Sequence, residues 1–155
     1  MGRKSIKTNK TMFQLSRENA GLTREEAGEK MIYVSEDRIE KIENERSNAR
    51  PEEVVAMSHC YEDPLLCNRY CSQACPIGRG RVSAIQEKDL PQVSMEILNA
   101  VNHLHENRDA IIRVASAGEL KEDEMDELID ISVQLEQLSR SVDSLKLWLR
   151  KKMDE

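Results

Sequence analysis

Three cysteines spaced four apart, Cys67, Cys71 and Cys75, are the residues of this 155-residue chain whose type and spacing could do chemistry. On a helix, positions i, i+4 and i+8 share a face, with side chains about 5–6 Å apart. Cys60 lies seven residues before Cys67. Together Cys60, Cys67, Cys71 and Cys75 could hold zinc or an iron–sulfur cluster, or act as a reversible thiol sensor. A tetrahedral thiolate site needs four converging ligands. Three along one helix converge only with a neighbour, Cys60 or His59, or a bend at "CPIG". The spacing is not the Cys-x2-Cys of zinc ribbons. A third reading makes the cysteines small buried hydrophobes beside Leu66 and Tyr70. All three readings stay open, and nothing else in the sequence requires a cofactor.

A second stretch is notable for charge. "SEDRIEKIENE" carries Glu36, Asp37, Glu40, Glu43 and Glu45 against Arg38 and Lys41. Ser35 is a good N-cap, Ile39 and Ile42 share one side, and Glu36, Asp37, Glu40 and Lys41 point outward. Acids in the first turn suit the helix dipole.

The elements that must position these groups are short. The fold class expected is all-α. Residues 1–11 form a basic flexible arm; Arg3, Lys4, Lys7, Lys10 and Arg17 stand in the first 17 residues with no acid. Such an arm is a foothold on phosphate or a solubilising tail. Residues 12–62 hold short helices. One runs from Phe13 to Ala20 and stops at Gly21. Thr23 with Glu26 makes a capping box for the next, which runs to about Met31. Pro51 opens a fourth helix, "PEEVVAMSHCY". Residues 63–81 form a Cys-rich helix and connector, with Asp63 and Pro64 as cap and first residue and Pro76-Ile77-Gly78 as its end.

"RENAGLTREEAGEK", "VSEDRIEKIEN" and "RPEEVVAM" together resemble the Cro/phage-repressor, or XRE-like, helix-turn-helix family over about residues 12–62. "CNRYCSQACPIG" resembles a stretch that follows the helix-turn-helix in a subset of that family. The resemblance implies a compact bundle of four to five short helices. It implies that residues 24–31 cross a DNA backbone and that residues 36–44 are the recognition helix. By the same resemblance Arg17 and Glu43 form an internal ion pair, and Arg24 contacts DNA. The chain departs from the family in two places. The turn "MIYV" lacks the usual Gly and is one residue longer. Glu36 and Asp37 stand where Gln, Arg, Ser or Thr is common. They either stabilise the helix or accept from cytosine N4. Phosphate contacts would then fall to Arg24, Arg38, Lys41, Arg46 and Arg50.

Residues 89–155 read as a long antiparallel two-helix hairpin or coiled coil for dimerisation or interaction. The first helix opens at Leu90-Pro91 and runs to about Ala115, with Ile97, Val101, Leu104, Ile111 and Ala115 as its seam. The second begins near Glu122. Its Leu128, Ile131, Leu135, Leu138, Val142, Leu145 and Leu149 follow a 3-4 heptad rhythm. Leu147 and Trp148 lie off that seam. The acids from Glu122 to Asp130 have no EF-hand spacing and read as a solvated face.

Charge is uneven. Residues 1–81 hold 14 basic and 13 acidic side chains, and residues 82–155 hold 9 and 16. Aromatic content is 3% and charged content 34%, which suits small helical units better than an enzyme with a large core. There is no catalytic constellation and no Gly-rich phosphate loop, so no enzyme is expected. No membrane span, secretory signal or convincing lipidation motif is expected, which points to the cytoplasm and reduced thiols. The expected function is a sequence-specific transcriptional regulator that binds double-stranded DNA as a homodimer through residues 89–155. Two alternatives remain: a protein–protein adaptor that keeps the fold without base readout, and a metal- or redox-responsive regulator using the cysteines.

Overall fold

A computed structural model describes residues 9–117 and 122–154. Among these residues all regular structure is helical, in eight helices. The chain divides into two compact units, Met1–Ala84 and Ile85–Glu155.

In the first unit α1 spans Met12–Asn19, α2 Arg24–Lys30, α3 Glu36–Glu43, α4 Pro51–Cys60 and α5 Leu65–Gln73. Local sequence explains most of these ends. The Thr11 hydroxyl accepts from Gln14 N at the start of α1. Thr23 Oγ1 accepts from Glu26 N at 3.1 Å, and Glu26 returns the favour to Thr23 N at 2.6 Å. That reciprocal cap holds the Glu26 carboxyl below its usual range. Ser35 stands at the N-cap of α3, but its hydroxyl makes no capping bond. Pro51 opens α4, and Glu53 accepts from Arg50 N at 2.7 Å. Asp63 accepts from Leu65 N, so the cap of α5 sits one residue outside Pro64.

The core draws on all five helices. Phe13, Ala27, Ile39, Ile42, Val54, Met57 and Leu66 are buried in one cluster, with Met31, Val34, Ala49 and Tyr61 from the connections. The Cys-rich helix is part of this core: Leu66 is fully buried in it and Tyr70 packs against it, with the Tyr70 hydroxyl donating to Ala49 O at 3.2 Å.

α5 is shorter than the cysteine spacing suggests. It ends at Gln73, so Cys67 and Cys71 share it and Cys75 lies beyond it. A residue before proline is driven out of helical backbone, and Pro76 follows Cys75 directly. The turn after Pro76 then folds back on the helix. Gly78 is buried against it, and a Cβ there would stand 2.2 Å from Cys71 O. Only a glycine permits that approach.

In the second unit α6 spans Leu90–Glu106, α7 Arg108–Ala117 and α8 Glu122–Asp154. Asp89 caps α6 by accepting from Gln92 N at 2.8 Å. The single helix expected to reach Ala115 is interrupted at Asn107. Its amide side chain donates to His103 O at 2.9 Å, competing with the backbone ladder. α6 and α7 run antiparallel to α8. Glu96 accepts from Ser141, Arg113 meets Glu127 at 2.8 Å, and Lys151 meets Glu87 at 2.5 Å.

The buried face of this unit differs from the expected seam. Val93 and Ala100 are buried on α6, whereas Val101 is exposed, as is Ile111 on α7. On α8 the buried positions are Ile131, Ser141, Ser144 and Leu147, the last expected off the seam. Leu135 and Leu149 keep 49% and 46% of their surface exposed. Small side chains, Ala100, Ser141 and Ser144, replace large ones where a helix pair packs closely. No helix among the described residues is long and apolar enough to cross a membrane.

Candidate nucleic-acid interface

The surface in question is built by α2 and α3. Gly28 on α2 lets the start of α3 approach closely; a Cβ there would lie 2.8 Å from Glu36 N. On the inner side Ile39 and Ile42 are buried. A polar clasp then fixes the end of α3. Arg17 Nε and Nη2 donate to the two oxygens of Glu43 at 2.6 and 2.9 Å, and Arg17 Nη1 donates to Leu22 O at 2.7 Å. Glu43 is fully buried. Burial alone would lower the Arg17 pKa, but the hydrogen bonds and charge of Glu43 outweigh it and raise it.

The structure thus brings Arg17 and Glu43 together, and adds Arg24, whose Nε donates to Glu43 Oε2 at 2.8 Å. Arg24 retains about a third of its side-chain exposure, so it borders the surface while tied to the clasp. Arg38 is tied more completely. It forks onto Glu53 at 2.7 and 2.8 Å and also reaches Ser47 Oγ and Asn48 O. The Glu53 hydrogen bond raises the Arg38 pKa, and Arg38 in turn holds the Glu53 carboxyl below its usual range. Glu53 was not among the expected site residues. Its only sequence signal is an acid three residues after Arg50, ahead of an apolar run.

Glu36, Asp37, Lys41 and Arg50 are exposed. Arg46 is exposed and lies 3.7 Å from Glu40, a surface pair of little energetic weight. The longer turn puts Ile32 and Tyr33 beside Glu36 and Asp37 in sequence, 90% and 85% exposed. The extra residue in "MIYV" was the signal for that protrusion. Of the arm, Arg3, Lys4 and Lys7 lie outside the described residues. Lys10 pairs with Glu18 at 2.6 Å. A pocket of about 280 Å³, lined partly by Met12, Phe13, Ile42, Tyr70 and Pro76, opens at the C-terminal end of α3, away from Glu36 and Asp37.

The cysteines come from different elements. All four are free thiols and part-buried. Cys60 sits on α4 with its Sγ 4.0 Å from Ala27 O, while Cys67 and Cys71 sit on α5 and Cys75 beyond it. Among the described residues no group of three His, Cys, Asp or Glu side chains is arranged to hold a metal ion. Burial pushes the Cys60 thiol up, and burial together with Cys75 and Cys67 pushes the Cys71 thiol up. Both shifts disfavour the thiolate.

Other polar groups serve the fold. Asp63 joins α1 to α5 by accepting from Ser16 Oγ at 2.6 Å and from Arg69. The Tyr61 hydroxyl is buried without a hydrogen-bond partner, and burial beside Glu43 keeps it protonated. Comparison with family models, with curated proteins and with solved structures returns no match.

Proposed function

We propose that residues 12–62 are an XRE-like helix-turn-helix domain and that the chain is a DNA-binding transcriptional regulator acting as a homodimer. The observation that carries this reading is α3 itself. Its inner face is locked by Ile39, Ile42 and the Arg17–Glu43–Arg24 clasp, while Glu36, Asp37 and Lys41 stand exposed on a rigid helix. In this reading Lys41, Arg46 and Arg50 meet phosphates, Arg24 and Arg38 support the helix, and Glu36 and Asp37 restrict which bases are accepted.

A specific observation favours a second reading, the protein adaptor. Two guanidiniums that would meet phosphate are engaged by carboxylates of the protein, and Ile32 and Tyr33 stand exposed a few residues before Glu36 and Asp37 in sequence. The metal- or redox-responsive reading has weaker support, because no three His, Cys, Asp or Glu side chains among the described residues are arranged to hold an ion and two thiols are shifted away from thiolate.

The deciding experiment selects bound duplexes from a random pool at low and high salt, with the parent and with Glu36→Gln/Asp37→Gln. The DNA-binding reading expects nonspecific affinity to rise in the variant, because two negative charges are removed from the surface. If either acid accepts from cytosine, preference at that base pair falls by about 1–3 kcal/mol. Retardation of no duplex by either protein at low salt would replace this reading by the adaptor.

A further inference from the structure

The heptad series of α8 is covered more fully on one row than on the other. Ile131 is buried, and Leu138 and Leu145, on the same heptad rows, are part-buried along α6. The other row, Leu128, Leu135, Val142 and Leu149, recurs every seven residues. On that row Leu128 and Val142 are part-buried, while Leu135 and Leu149 remain about half exposed. A seven-residue repeat keeps its side chains on one stripe over three turns of the pattern. A stripe of leucine and valine sustained over three heptads matches a helix of the same repeat, and the chain itself carries one.

Charge fixes the partner and its direction. Residues 125–138 contain four acids, Asp126, Glu127, Asp130 and Glu136, and no base. Residues 139–153 contain five bases, Arg140, Lys146, Arg150, Lys151 and Lys152, and one acid, Asp143. Two copies of α8 side by side in parallel would set acid beside acid and base beside base. Turned end for end, the acidic half of each lies along the basic half of the other. The same reversal pairs the stripe with itself, since the four positions are symmetric about the point between Leu138 and Ser139.

We propose that α8 packs against α8 of a second copy in an antiparallel homodimer, Leu128 on the partner's Leu149 and Leu135 on the partner's Val142. This deepens the homodimer of the preceding reading and is independent of whether the chain binds DNA. The arrangement is isologous, as a two-fold contact must be. It also carries the chain into the two hairpins from opposite ends of the bundle, because Leu90 lies near the C-terminal end of α8 in each copy.

Three measurements on the full chain test it. Zero-length carbodiimide coupling should join Asp126, Glu127 or Asp130 to Lys146, Lys151 or Lys152. Within one helix the nearest of these pairs is about 24 Å apart at 1.5 Å per residue, so such a product forms only between copies. The Glu87–Lys151 pair, in contact within one chain, is the internal control. The dimer dissociation constant, from sedimentation, should rise with salt as the opposite charges are screened. Leu135→Lys should raise that constant by more than about tenfold with helicity unchanged, whereas Val133→Lys, exposed on the far side of α8, should leave it alone. A dimer that tightens with salt, lacks those couplings or tolerates Leu135→Lys would overturn the antiparallel stripe and leave a homodimer of another geometry. A monomer at all concentrations would overturn both.

Discussion

α3 and α8 are both amphipathic, yet they finish with different surfaces. α3 has two apolar side chains, Ile39 and Ile42, and buries both. α8 has many, and leaves Met125, Ile129, Val133, Leu135 and Leu149 about half exposed. The difference lies in what surrounds them. α3 sits among helices that contribute to one closed core, and its remaining polar need is met by Arg17 on Glu43. α8 has α6 and α7 along one side only. A helix pair cannot cover more than a stripe of each member, so a long heptad series leaves surplus apolar surface. α3 spends its apolar side chains on a closed core, whereas α8 keeps apolar side chains at its surface.

The sharpest way to break that contrast is Glu43→Gln. It takes the paired carboxylate from buried Arg17, sets an amide donor against one of its three hydrogen bonds, and loosens Arg24 as well. Removing one partner of a buried pair costs about 3–5 kcal/mol. Segment-resolved hydrogen exchange should show protection lost across residues 12–73 and kept across residues 125–150. Equal loss in both segments would mean that the two units do not hold themselves up separately.

The parts of this fold that the sequence announces are the ones made within a few residues. The Thr23–Glu26 cap, Pro51 at the head of α4, and the buried Ile39 and Ile42 follow from spacing alone. Arg17 on Glu43 follows only from a resemblance, because 26 residues separate the partners. The engagement of Arg38 by Glu53, across 15 residues, has no local signature at all. Periodicity misleads where a single residue interrupts it. Asn107 divides a helix whose apolar pattern continues, and Pro76 removes Cys75 from a helix whose cysteine spacing continues. Periodicity also marks which side chains want burial without saying what buries them. The heptad of α8 was visible in full; that Leu135 and Leu149 of it stay at the surface was not. For the site, exposed Glu36 and Asp37 were legible, whereas the diversion of Arg24 and Arg38 into the fold was not.

A smaller effect probes the second unit. Ala100, Ser141 and Ser144 are almost fully buried, which ties the separation of α6 and α8 to small side chains. Ser141→Leu removes the bond to Glu96 and inserts a bulky group into a closed space. Overpacking of this kind costs about 1–3 kcal/mol. Thermal melting should show the loss in the second unit. A neutral or stabilising result would mean that α6 and α8 are loosely enough paired to part, weakening the distinction between the more and the less covered row on α8.

The smallest effect compares one carboxylate from each unit. Hydrogen bonding to Arg38 holds Glu53 below the usual carboxylate range, and hydrogen bonding to Lys88 does the same for Glu96. A group whose pKa is depressed by folding stabilises the folded state above its unfolded pKa, about 4.3 for Glu. That contribution is lost as pH falls through the lower, folded value. Melting temperature should therefore be insensitive to these two groups from about pH 7 to pH 5, and should fall as acid is added below about pH 4.3. Both pairs keep some exposure, so each contributes less than about 1 kcal/mol. Arg38→Gln and Lys88→Gln should each flatten the acid limb. The Arg38 variant should do so more, because a planar guanidinium holds Glu53 in fixed geometry and also reaches Ser47 and Asn48, whereas Lys88, which likewise reaches both Glu96 oxygens, is a rotatable point charge. If the two variants flatten the limb equally, the clasp around α3 is no firmer than an ordinary surface pair, and the rigidity ascribed to α3 loses its support.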